Sequence, residues 1–270
     1  MGQKVKRFFR FYPFIQDFNF QLNMMNTIER AIQAFLSHNN YPQFDLKAIL
    51  FDMDGVLFDS MPNHALSWHT VMKAHGLDLS CEEAYLHEGR KGDDTIQIVC
   101  RKQGVIISDK ETKAIYKEKT EIFKILPTPV RMAGSYELLK KVMSDGLIPM
   151  LVTGSGQASL LDSLNVSFPG VFLKERMVTA FDVKLGKPNP EPYLKALEKG
   201  NLKPWETIVI ENAPLGIEAA HKAGLFVVVV NTGPLSDSIL WEAGANLFYP
   251  SMLALHEAWE KIMEYFKLKI

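Results

Sequence analysis

Four short apolar runs, each ending in small or polar residues, limit this chain to one kind of sheet. They are LKAILFD (46–52), LIPMLVTG (147–154), ETIVIEN (206–212) and LFVVVVN (225–231). Each is continuously rather than alternately apolar, which marks strands covered on both faces. Helical stretches follow the last three, from Gly156 to Leu164, Pro214 to Ala223 and Leu235 to Ala243. SYELLKKVMSDG (135–146) is an amphipathic helix closed by Gly146, just ahead of the second run. Such alternation predicts an α/β fold: a Rossmann-like parallel sheet with helices on both faces.

The alternation is broken once. Residues 61–126 carry four helical patterns in succession, MPNHALSWHTVMKAHG, SCEEAYLHEG, DDTIQIVCRKQG and SDKETKAIYKEKTEIFKIL, with no strand pattern among them. This predicts an inserted all-helical cap domain over 61–127, within a core made of 46–60 and 128–270. Ahead of the core, NTIERAIQAFLSHNN reads as an amphipathic helix with Ile28, Ile32, Phe35 and Leu36 on one face. Residues 1–45 are therefore expected to be an N-terminal extension with one helix. Its first twenty or so residues are basic and aromatic, but Pro13, Gln16, Asp17 and Asn19 interrupt any apolar leader, and they read as an appendage.

Charge and composition exclude several function classes. Lysine and arginine number 30 against 31 acidic residues, so no net field draws the chain to nucleic acid or a membrane surface. No apolar run approaches the ~20 residues of a membrane span. Cys81 and Cys100 stand in no metal or redox spacing, which suits a reducing, cytoplasmic setting. A monomer is expected.

In open α/β sheets ligands bind at the carboxyl ends of the strands. Those ends here offer Asp52 and Asp54, then Thr153, Gly154 and Ser155, then Glu211 and Asn212, then Asn231 and Thr232; the loop KLGKPNPEPY adds Lys187. Three acids, a lysine and hydroxyl donors suit a divalent cation and a phosphoryl group. A calcium loop does not account for DMDG, because an EF-hand needs glycine at its sixth position and Gly55 would be fourth.

DMDGVLFDS, VTGS, GKPNPEPY and VIENAPLGIEAAHKAG, in that order, resemble the four motifs of the haloacid dehalogenase superfamily. The likeness runs from about Leu46 to the C-terminus, and the helical insert resembles the cap of the β-phosphoglucomutase-like branch. It implies a Mg2+-dependent phosphohydrolase. Asp52 would be the nucleophile, and Asp54 the acid and base that meets the metal through its backbone carbonyl. Thr153 and Lys187 would hold the transferring phosphoryl group, Ser155 would line the substrate site, and Glu211 and Asn212 would complete the metal shell. The superfamily usually has aspartate where Asn212 stands, so one negative charge is missing.

Substrate choice falls to the cap. His64 matches a histidine of the mutases, but Gly92 falls where they carry a phosphate-gripping arginine. The loop HEGRKGDDTI instead offers Glu88, which on cap closure would reach the metal or its waters and restore the missing charge. Arg90 and Lys91 would then pair with the leaving phosphate. This pattern resembles bacterial inorganic pyrophosphatases built on the same fold and favours pyrophosphate. The alternatives are a sugar-phosphate or small-metabolite phosphatase, or β-phosphoglucomutase-type transfer.

Overall fold

The first apolar run becomes the central strand of the sheet. This computed structural model describes residues 27–156 and 158–267. Helix α1 (27–39) precedes strand β1 (Ala48–Phe51), and four helices follow it: α2 (Met61–Ala74), α3 (Cys81–Leu86), α4 (Gly92–Lys102) and α5 (Asp109–Ile125). The chain then alternates through α6 (Ser135–Ser144), β2 (Ile148–Val152), α7 (Ala158–Ser167), β3 (Met177–Val178), α8 (Glu191–Gly200), β4 (Thr207–Glu211) and α9 (Pro214–Lys222). It ends with β5 (Phe226–Val230), α10 (Asp237–Glu242), β6 (Leu247–Tyr249) and α11 (Met252–Lys267). The strands lie in the order β3-β2-β1-β4-β5-β6, all parallel. Connections reverse direction between β1 and β4, and that switch point opens a crevice at their carboxyl ends.

Strand residues alternate between two apolar layers. Ile49, Phe51, Ile208, Ile210, Phe226 and Val228 face α1, α6 and α11; Leu50, Val209, Val227 and Val229 face α8 and α9. Burying each such side chain contributes roughly 1.5–3 kcal/mol. A one-residue slip would exchange the two faces, so packing fixes the register and with it the height of each strand tip.

The structure differs from the sequence reading in two respects. Strands β3 and β6 were not expected, and both are too short to carry a period. The segment before β1 is also no mere extension. Ile28, Ile32, Phe35 and Leu36 are buried as predicted. Phe35 stacks on Phe44 at 5.5 Å, and both meet Phe226 edge-on at 5.2 and 5.5 Å. Residues 27–45 thus complete one layer of the core, whereas residues 1–26 lie outside the described residues.

Helices α2 to α5 enclose their own small core around Trp68, Val71, Met72, Ile96, Val99 and Ile115. Two linkers join this cap to the sheet, and they pair with each other. Asp59 N donates to Val130 O at 2.9 Å and Met132 N to Leu57 O at 2.8 Å. Among the described residues, no helix is long and apolar enough to cross a membrane.

Candidate active site

The chain leaves β1 in a tight loop that sets the two aspartates. Leu57 and Phe58 both return amide hydrogen bonds to Met53 O, and Gly55 donates to Phe58 O at 2.8 Å. Gly55 has a φ of +78°, and a Cβ there would lie 2.1 Å from Asn212 Nδ2, so only glycine fits. Thr232, at the tip of β5, holds this loop by donating to Gly55 O at 2.7 Å. Asn231 points elsewhere, to Leu235 O and Asp237.

Asp52 is buried beside Lys187, whose Nζ is 2.5 Å from Asp52 Oδ1, 2.6 Å from Glu211 Oε1 and 3.2 Å from Val152 O. The three ammonium protons are therefore all directed. Burial alone would lower the Lys187 ammonium, but Asp52 and Glu211 outweigh it and hold it above its ordinary range. The Asp52 carboxyl is pushed up to about 8, by burial first; Lys187 opposes the rise, and Glu211 and Asp54 add to it. Thr153, also buried, accepts from Ser155 N at 3.0 Å, which shapes the turn after β2.

Asp54 lies in the core loop after β1, yet its side chain is held from the cap side. Ser60 Oγ donates to Asp54 Oδ1 at 2.6 Å, and His64 Nε2 lies 3.1 Å from the same oxygen. Lys119 Nζ on α5 is 2.7 Å from His64 Nδ1. A neutral imidazole donating from Nε2 and accepting at Nδ1 satisfies this chain. Burial works to raise the Asp54 carboxyl, but His64, Ser60 and Lys119 prevail and hold it below its ordinary range. Burial and then Lys119 lower His64. Lys119 itself, only 1% exposed between Trp68 and Phe123, is lowered by burial to about 7.

The cap sits closed over these groups. Glu88 Oε1 accepts from Asn212 Nδ2 at 2.8 Å, bringing the cap loop to the tip of β4. Burial raises the Glu88 carboxyl well above its ordinary range; Asn212 opposes this, and the charges of Asp52, Glu211 and Asp54 reinforce it. Gly89 O lies so near Gly154 that a Cβ on the latter would be 2.0 Å away. Beneath the closure lies a cavity of about 50 Å³, lined on the cap side by His64, Glu88, Arg90 and Lys119 and on the core side by Asp54 and Ser155.

Two expected roles change. Lys91 does not enter the cavity: its Nζ donates to Val183 O and Lys184 O at 3.1 and 3.4 Å, so it fastens the cap loop to the core. Glu211 brings no uncommitted oxygen, because Oε1 is taken by Lys187 and Tyr193 and Oε2 by the amides of Asn212 and Ala213. It orients Lys187 and the β4 turn. Sequence reasoning missed Ser60, Tyr193 and Lys119.

The residues present fit a hard cation. Four acids are buried here, Asp52, Asp54, Glu88 and Glu211, of which Asp52 and Glu211 pair with the Lys187 ammonium, and Asn212 Oδ1 is buried without a partner among the described residues. Among the described residues no three acidic, histidine or cysteine side chains form a ready cage. Magnesium does not need one, since it is commonly bound by one or two carboxylates with waters and substrate oxygens. Asp52, the Asp54 backbone carbonyl and Asn212 Oδ1 are the groups that would hold it.

Residues 49–230 match the family model described as haloacid dehalogenase-like hydrolase. The chain belongs to this family. Members of the haloacid dehalogenase-like family similar to it include Escherichia coli hexitol phosphatase A, 31% identical over 68% of this chain and 83% of that protein. A phosphorylated carbohydrates phosphatase of Thermotoga maritima is 30% identical over 74% and 92%. Among solved structures, one named "Putative beta-phosphoglucomutase from Bacteroides vulgatus" is 56% identical, with a TM-score of 0.87 over 90% of this chain and 99% of that one. The protein is thus a phosphatase or phosphoryl transferase of this family, with a β-phosphoglucomutase-like structural neighbour.

Proposed function

We propose that the protein is a Mg2+-dependent inorganic pyrophosphatase. The size and lining of the closed cavity carry this reading. About 50 Å³ holds roughly four waters, which suits one leaving phosphate better than a hexose. Its cap-side wall offers Lys119 and Arg90, and Arg90 Nε is buried with no partner among the described residues. A leaving phosphate supplies the acceptor these donors need.

Asp52 attacks the nearer phosphorus, forming an aspartyl-phosphate as the bridging P–O bond breaks. Asp54, a carboxylate in its seat between Ser60 and His64, takes up a proton carried in by hydrogen-pyrophosphate and passes it to the departing phosphate, then takes one from the water that hydrolyses the intermediate. Lys187 and Thr153 bind the transferring oxygens. Bound Mg2+ would neutralise charge on Asp52 and the phosphoryl oxygens. Glu88, brought by closure to Asn212, supplies the charge that asparagine lacks at that position.

A second reading, hydrolysis or transfer of a sugar phosphate, is favoured by the substrates named for the relatives. Against the mutase form stands Gly92, where a Cβ would lie 2.0 Å from the Tyr116 ring, so a side chain there would have to displace that ring. Phosphate release with Mg2+ from pyrophosphate, hexose phosphates and glycerol phosphate, together with β-glucose 1-phosphate plus a bisphosphate primer, decides between them. Pyrophosphate should lead by about 100-fold in kcat/KM, roughly 3 kcal/mol, and Glu88→Ala should remove that lead and raise the Mg2+ requirement. A lead for sugar phosphates refutes the proposal.

A further inference from the structure

Beside the reacting cavity lies a second, open cleft of about 360 Å³ between cap and core, lined by Lys91, Lys113, Lys117, one acid (Asp93) and Phe181. Gly92 and Tyr116 line both spaces, so they form the partition between them. The Tyr116 ring is fixed on three sides. It stacks on Trp68 at 6.2 Å and 25°. A Cβ on Gly92 would lie 2.0 Å from Tyr116 Cε2, so the ring rests directly against backbone there, and a Cβ on Gly156 would lie 3.2 Å from its hydroxyl. The ring is half-buried at the edge of the cap core, and these contacts hold it in place as a wall, because close-packed neighbours give little.

We infer that Tyr116 is a specificity-determining residue that sets the length of the leaving group. With the ring in place, the leaving group ends after one phosphate. With it removed, the cavity joins a larger hollow whose lysines suit further phosphates, so the opened enzyme takes longer linear polyphosphates. The chemistry is unchanged: Asp52 attacks the terminal phosphorus, the P–O bond to the rest of the chain breaks, and Asp54 protonates the departing pyrophosphate. This inference rests on the reading of the site as a pyrophosphatase.

The test compares kcat/KM for tripolyphosphate and pyrophosphate, with Mg2+, in the full chain and in Tyr116→Ala, Tyr116→Phe and Tyr116→Ala with Lys113→Ala and Lys117→Ala. The ratio within one variant is insensitive to the fraction folded. It should rise about tenfold or more in Tyr116→Ala, stay at its original value in Tyr116→Phe, and fall back when the two lysines are also removed. An unchanged ratio in Tyr116→Ala, an equal rise in Tyr116→Phe, or a gain that survives loss of the lysines overturns the inference. If the unsubstituted protein releases no phosphate from pyrophosphate, it is the pyrophosphatase reading that has failed. The partition is then judged on the ratio of hexose 6-phosphate to glycerol phosphate, which must still rise in Tyr116→Ala.

Discussion

Lys119 gives the sharpest test of how the site is built, because the structure makes it a burden on the fold. Its ordinary pKa of 10.5 falls to about 7 through burial, so the folded chain resists a proton that the unfolded chain accepts. Between those values the unfolded state binds more protons, and stability rises with pH. The cost reaches its full size below pH 7 and vanishes above pH 10.5. Integrating the two titrations gives a penalty on the order of 4 kcal/mol at pH 7 and 2 kcal/mol at pH 9. Lys119→Met keeps the volume and removes the charge. It also removes the donor to His64 Nδ1, which costs about 1–3 kcal/mol. The variant should therefore be about 2 kcal/mol more stable than the parent at pH 7 and close to level with it at pH 9. Urea unfolding of both proteins at the two pH values, in chelator, measures this. In the same variant kcat/KM should fall by about one to two orders of magnitude, since a cationic donor to the leaving group is gone. A variant less stable than the parent at pH 7, or a difference that does not shrink by pH 9, would refute the argument.

Other substitutions probe separate joints. Gly154→Ala places a methyl where Gly89 O now sits, so the cap closes short and kcat/KM should fall about 100-fold; full activity would show that closure at this contact is not needed. Arg90→Ala should cost roughly 2 kcal/mol of transition-state binding, about thirtyfold in kcat/KM for pyrophosphate, and Arg90→Lys should not restore it; turnover equal to the parent's would remove Arg90 from the site. Phe44→Ala should destabilise the fold by about 3–5 kcal/mol, read by denaturant midpoint, and a loss below 1 kcal/mol would return residues 27–45 to the status of an extension outside the core.

The fold was legible where the chain obeyed one rule over many residues. Continuous runs such as FVVVV declared covered strands, and the sheet order placed their tips where ligands bind. Strands β3 and β6 escaped because two and three residues carry no period. Asp52, Asp54, Thr153 and Lys187 were readable because each follows an apolar run or sits in an ordered motif. Lys119 was hidden among the other lysines of α5. A signal existed: Thr112, Ile115, Lys119 and Phe123 are the buried residues of that helix, at helical spacing, so the lysine stands on the apolar face. Lys91 misled for the opposite reason. Its place beside Arg90 suggested a shared task, but adjacent residues on a loop point apart.

The partners of Asp54 show why the cap is more than a lid. The residue sits on the core, but its carboxylate is held by Ser60 at the linker and His64 on α2, and His64 by Lys119 on α5. The acid proposed to protonate the leaving group is therefore oriented by the domain that encloses the cavity. Glu88 repeats the pattern, since its carboxylate, on the cap loop, meets Asn212 on the core. An opening that lifted α2 and the Glu88 loop from the core would break both contacts, and closure would then assemble the acid and the charge balance in one movement. A leaving group too large for closure loses acid orientation and metal charge together. Discrimination should then appear mainly in kcat, while a substrate that merely fits poorly would show it in KM.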